Sequence, residues 1–71
     1  MDPVMLREHL AQTERHVLEG EHHVARQRGV VAALDRKGID STAAMTLLRQ
    51  FEAWLVLHVA DRDRLRRELG L

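Results

Sequence analysis

The stretch Gly38-Ile39-Asp40-Ser41 separates two runs in which the residues of one face recur at alternating intervals of four and three. The run before the break comprises Leu6, Leu10, Thr13, Val17, Gly20, Val24, Gln27, Val31 and Leu34. The run after it comprises Ala44, Leu48, Phe51, Leu55, His58, Arg62, Leu65 and Leu69. That spacing places each run on one side of an α-helix. Because the break is short, the sequence predicts an all-α fold, an antiparallel two-helix hairpin packed like a coiled coil.

Capping signals mark where the two helices begin and end. Asp2 followed by Pro3 predicts a helix start, and Gly38 suits the left-handed residue that follows a helix end. Asp40 is the predicted N-cap of the second helix, with Ser41 as an alternative one residue later. The predicted organisation is a single domain over residues 1–71, with helices at about 3–37 and 41–69 and a turn at 38–40.

Aligning the two runs predicts which residues face each other across the hairpin. Pairing Leu34 with Ala44 next to the turn carries the alignment outward until Gly20 lies opposite His58. We therefore expect His58 to be largely buried, with the glycine leaving space for a ring.

Composition limits the classes of function. Eleven basic and eleven acidic residues cancel, which argues against a nucleic-acid partner, since phosphate binding usually shows as a basic excess. The absence of cysteine excludes disulfides and thiolate metal sites. The start, Met-Asp-Pro, lacks the pattern of a signal peptide, and the longest nearly apolar run, 53–60, is too short to span a bilayer. We expect a cytoplasmic protein with no membrane association and no cofactor.

The second helix predicts a partner. Residues 54–60 fill one complete heptad with almost nothing polar, and a helix that is apolar all round is usually buried all round. One facing helix cannot cover it, whereas a homodimeric four-helix bundle can. The predicted interface consists of Phe51, Trp54, Leu55, Val56, Val59, Leu18 and Ala25. The predicted function is a non-enzymatic homodimeric interaction or adaptor module; the alternative occupant of the apolar surface is a different protein.

The histidines suggest a second class of function, metal binding. His9, His16 and His23 are spaced seven apart, which separates them by about 10 Å along a helix, too far for one metal ion. Glu19 and His22 have the spacing seen in di-iron bundles, but both fall on the outer side of the helix. We therefore predict no metal site, and histidine-based metal binding stays an alternative.

The segment 61–68 suggests a third class, because it carries four arginines. Three interleaved acidic residues favour a helix end with internal ion pairs over a phosphate site. RNA binding by a bundle similar in layout to the plasmid copy-control protein Rop is retained as an alternative, on fold-level analogy alone. No catalytic residue is predicted, because the sequence contains neither a glycine-rich phosphate loop nor a cysteine nucleophile.

Three segments resemble a group of short bacterial helical-hairpin proteins without assigned function. They are Thr13-Glu-Arg-His-Val-Leu-Glu-Gly20, Gly38-Ile-Asp-Ser-Thr42 and His58-Val-Ala-Asp-Arg-Asp-Arg-Leu65. The resemblance extends over most of the chain and implies a helical hairpin. It implies no activity and no site residues.

Overall fold

The computed structural model describes residues 2–71, which form two α-helices packed against each other. Helix α1 spans Pro3–Arg36 and helix α2 spans Thr42–Glu68. The hairpin is 53 Å long and about 15 Å across in both other directions. The predicted all-α hairpin is confirmed, and the helix bounds lie within one residue of the expected ones. Over the described residues, neither helix contains an apolar stretch long enough to cross a membrane.

Local hydrogen bonds explain both ends of α1. The side chain of Asp2 accepts a hydrogen bond of 2.8 Å from the amide of Val4, which is otherwise unpaired in the first helical turn. At the other end Gly38 has a φ of +69°, a conformation that residues with a β-carbon rarely adopt. This bend lets the amide of Ile39 donate to the carbonyl of Leu34 at 2.9 Å. The helix therefore ends in the hydrogen-bonded manner typical of a C-terminal glycine.

Asp40 and Ser41 both take part in the start of α2, in different ways. The Asp40 carboxylate accepts from the hydroxyl of Thr42 at 2.6 Å and from its amide at 3.0 Å. Both bonds lower the pKa of Asp40 below its usual value, and the bond from the hydroxyl has the larger effect. The Ser41 hydroxyl instead donates to Asp35 at 2.7 Å, which ties the turn to the last residues of α1. Asp40 thus supplies the capping oxygen, although Ser41 directly precedes the helix.

The core lies along the two predicted runs. Every buried side chain among residues 2–71 belongs to one of them: Leu6, Leu10, Thr13, Val17, Val24 and Leu65. Leu6, Leu10 and Leu65 form one cluster near the open end of the hairpin, with Leu69 packed against it. The hydroxyl of Thr13 is satisfied by the carbonyl of His9 at 2.9 Å, so its burial leaves no unpaired polar atom.

The two helices pair about one turn away from the predicted alignment. Gly20 lies against Leu55, not against His58. His58 is only half-buried, and its ring lies beside that of His16, with 5.1 Å between the ring centroids. The spacing of four and three gives two inward-facing positions in each heptad. Shifting one helix by a turn moves each residue opposite the other of these two positions, and both face the partner helix. The heptad spacing therefore fits either alignment, and the predicted burial of His58 opposite Gly20 was wrong.

Candidate interaction surface

Helix α2 exposes large apolar side chains that the hairpin does not cover. Trp54 is 61% exposed, and Val56 and Leu57 are each 66% exposed. On α1, Leu18 is 58% exposed. Exposed leucines are common one at a time, but contiguous apolar surface on a small protein usually marks an interaction site. These side chains are therefore the starting point for a candidate site.

A groove of about 250 Å³ opens on one side of the hairpin, between the middle of α1 and the middle of α2. Its base is formed where Leu55 packs across Gly20, because a glycine leaves the space that a side chain would fill. The side of the hairpin that carries this groove is called here the groove face. Its lining residues are His16, Glu19, Gly20, His23, Phe51, Trp54, Leu55 and His58.

Histidine and aromatic rings form the walls of the groove. The ring of His23 stacks on that of Phe51 at a centroid distance of 5.5 Å and an interplanar angle of 29°. The rings of His16 and His58 meet at 5.1 Å with a tilt of 55°. The sequence offered His16 and His23 only as possible metal ligands and did not predict the groove. The glycine within the apolar run of α1 was the available signal for it.

The opposite side of the hairpin is crossed by ion pairs between the helices. Arg66 pairs with Glu14 at 2.9 Å, and Arg28 approaches Glu52 at 3.4 Å. A shallow depression on this side is lined by Glu14, Val17, Leu18, Glu21, Arg62 and Arg66. This side is called here the ion-pair face.

The structure divides the predicted interface residues between these two faces. Phe51, Trp54 and Leu55 line the groove. Val56 follows Trp54 by two residues, which turns it about 200° away around the helix, and it lies one turn from Glu52. The members on or next to the ion-pair face are Leu18, Ala25, Val56 and Val59. One flat partner surface therefore cannot contact the whole predicted set at once.

Three arginines near the end of α2, Arg62, Arg64 and Arg66, are paired with carboxylates. Arg64 bonds Asp61 and also Glu68, the latter at 3.0 Å, and these bonds raise its pKa above the usual value, Asp61 contributing most. Arg62 pairs with Asp63 at 3.1 Å. Two of the four arginines in this segment are therefore paired within α2, and Arg66 pairs with Glu14 of α1, in line with the internal ion pairs that the alternating signs predicted.

No group of three or more histidine, aspartate or glutamate side chains within residues 2–71 is arranged to hold a metal ion. His9 lies 3.7 Å from Asp61, which makes it part of an ion pair when it is protonated.

Comparisons with protein-family models, curated proteins and solved structures found no match to this chain. The resemblance to short bacterial hairpin proteins stays a prediction.

Proposed function

We propose that this protein is a non-enzymatic interaction module that acts as a homodimer, with two hairpins joining into a four-helix bundle. The observation that carries the proposal is the exposure of large apolar side chains in the middle of α2, Trp54 above all. Burying a side chain of this kind stabilises a protein by about 1.5–3 kcal/mol. A second hairpin supplies the additional helix layer that such surfaces require.

The small core supports the same proposal. Leu65 is the only apolar side chain among the described residues with no exposed surface. Helix bundles usually bury a broad side of each helix, and two helices alone can cover only one stripe. Association is not opposed by overall charge, because the eleven basic and eleven acidic residues cancel. A dimer that uses one face of the hairpin also leaves the other face free for a further protein, which is the arrangement an adaptor needs.

Sedimentation velocity across nanomolar to high micromolar concentrations tests this proposal. One chain has a mass of 8.2 kDa, so we expect a species of twice that mass that dissociates only on dilution. Circular dichroism at the same concentrations shows whether helix content falls as the dimer dissociates, as expected where folding and association are coupled. A folded monomer throughout that range would contradict the proposal.

A further inference from the structure

The groove lies at the middle of the hairpin in both helices. Gly20 is near the midpoint of α1, which spans Pro3–Arg36, and Leu55 is near the midpoint of α2, which spans Thr42–Glu68. A two-fold axis through the groove and perpendicular to the helices would therefore place two hairpins against each other over their full length. An axis at any other level would leave part of each hairpin uncovered.

The contents of the groove suit a second copy of the same chain. A two-fold interface is self-complementary, so each copy must present both a projecting group and a recess that accepts it. Trp54 lines the groove with 61% of its surface exposed, and the groove, whose base is Leu55 packed against Gly20, is the recess beside it. Tryptophan at the centre of an interface is a frequent main contributor to binding.

The distribution of charge favours the groove face over the ion-pair face. The Arg66–Glu14 and Arg28–Glu52 pairs run between the helices on the ion-pair face, and covering them would remove charged groups from water at a cost. In the groove, Glu19 is the only carboxylate, and the other lining groups are apolar residues, glycine and histidines. At mid-length the groove face therefore loses less hydration when it is covered, whereas towards the open end it carries the His9–Asp61 pair.

Charge also favours one orientation of the second copy. The third of the hairpin that contains the turn, residues 26–50, has five basic and two acidic residues, a net charge of +3. The third at the open end, residues 2–14 and 59–71, has five basic and six acidic residues, a net charge of −1. If two copies had their turns side by side, their two thirds with a net charge of +3 would be adjacent. If the turns were at opposite ends, the third with a net charge of +3 would lie next to the partner's third with a net charge of −1, which is the attractive arrangement.

The available area is sufficient for a stable dimer. The long side of the hairpin spans 53 by 15 Å between Cα atoms, a projected rectangle on the order of 800 Å² before side chains are added. Specific interfaces bury about 800 Å² on each partner. Full-length overlap about the central groove therefore reaches the usual size, and a contact limited to one end does not.

From these observations we infer that a second copy of this chain covers the groove face, with the two turns at opposite ends and the two Trp54 side chains near a central two-fold axis. This inference rests on the proposed homodimer and adds which face is covered and in which orientation.

Distances between spin labels test the orientation. The chain has no cysteine, so an Ile39→Cys substitution in the exposed turn carries a single nitroxide label. With turns at opposite ends, we expect a distance between the two labels close to the 53 Å length of the hairpin. With turns side by side, the labels would be separated by roughly one or two helix diameters, about 10–20 Å. The short distance would overturn the inference while leaving the homodimer intact.

A matched pair of substitutions tests the face. Trp54→Glu and Val56→Glu place the same charge on two neighbouring, similarly exposed positions that point to opposite sides. We expect Trp54→Glu to raise the dimer Kd by about 30-fold or more, since central tryptophans contribute strongly to interfaces. We expect Val56→Glu to leave the Kd within a few-fold of the parent value.

Each result of the pair decides for or against the inference. The groove face is not the interface if Val56→Glu alone raises the dimer Kd, if both substitutions raise it equally, or if neither raises it. The label distance is measured in the parent background, so it stays informative if Trp54→Glu fails to fold. A parent chain that sediments as a folded monomer would instead refute the proposed function itself.

Discussion

A β-carbon added at Gly20 would lie 3.1 Å from Cδ1 of Leu55 and 3.7 Å from its β-carbon. This close approach defines the alignment of the two helices at mid-length, and it forms the base of the groove. Gly29, on the same helix, has no heavy atom of this kind within 4 Å of the corresponding position. The two glycines therefore differ in packing, although both are helical and both lower helix stability.

Alanine substitutions at the two glycines should change the free energy of unfolding by different amounts. Gly29→Ala is expected to raise the free energy of unfolding by up to about 1 kcal/mol, because alanine is the better helix former. Gly20→Ala should gain less, because Cδ1 of Leu55 must move by a few tenths of an ångström. Leucine substitutions enlarge the contrast: Gly20→Leu should destabilise by about 1–3 kcal/mol through overpacking, whereas Gly29→Leu should be tolerated. Denaturant melts at equal chain concentration measure all four, and equal results at the two sites would contradict the observed alignment.

Leu65 should contribute far more to stability than the ion pair beside it. Leu65 has no exposed surface, and its truncation to alanine leaves a cavity, so Leu65→Ala should cost about 2–5 kcal/mol. Arg66→Ala removes the pair with Glu14, which is partly exposed, and should cost less than about 1 kcal/mol. Thermal or urea unfolding of both variants checks the ranking. A larger loss in Arg66→Ala would mean that the ion pair, and not the leucine cluster, holds the open end together.

Acid should weaken the start of α2 through Asp40. The pKa of Asp40 is lowered in the folded chain, so at acid pH the unfolded chain binds this proton more readily than the folded chain. The stabilisation is therefore complete above the ordinary pKa of about 4 and is lost as pH falls further, through the lowered folded value. We expect Asp40→Ala to be less stable than the parent at pH 7, with the difference narrowing below pH 4.

Thr42→Ala is the control for that experiment. It removes the hydroxyl that bonds Asp40 at 2.6 Å and keeps the amide that bonds it at 3.0 Å. Its unfolding should therefore depend on pH less steeply than that of the parent between pH 2 and 4. If all three proteins lose stability in parallel, Asp40 is not the group responsible.

The single tryptophan provides an optical test of the covered face. Trp54 is mostly exposed in one hairpin, so dilution to monomer should give a red-shifted emission that acrylamide quenches readily. As the dimer forms, we expect a shift to shorter wavelength and weaker quenching, over the same concentrations as the change in sedimentation. Val56→Asn alters the other side of the helix and should show the same behaviour. Unchanged emission during dimerisation would place Trp54 outside the interface.

Sequence and structure agree at the helix ends and on the buried side of each helix. Asp2, Gly38 and Asp40 act over one or two residues, so their roles could be predicted without a three-dimensional model. The buried residues also fall on the predicted runs, because helical periodicity alone determines which side of a helix each residue occupies. These features depend on neighbours in the chain.

The alignment of the helices and the groove depend on residues far apart in the chain. Heptad spacing is satisfied by alignments that differ by one turn, so Gly20 could face either His58 or Leu55 on pattern alone. The same ambiguity hid the meeting of His16 with His58, which places histidines in the groove wall. Periodicity also did not separate the two sides of the hairpin, and it therefore grouped Trp54 with Val56 as one surface.

Local hydrogen bonding and the pitch of the helix explain why the primary structure predicts two helices, their ends and the buried stripe of each. Which turn of α1 packs against which turn of α2 emerges only when the two helices are folded together. Side-chain shape selects that pairing, because Leu55 packs across the space left by Gly20 and the other groove residues lie around that contact.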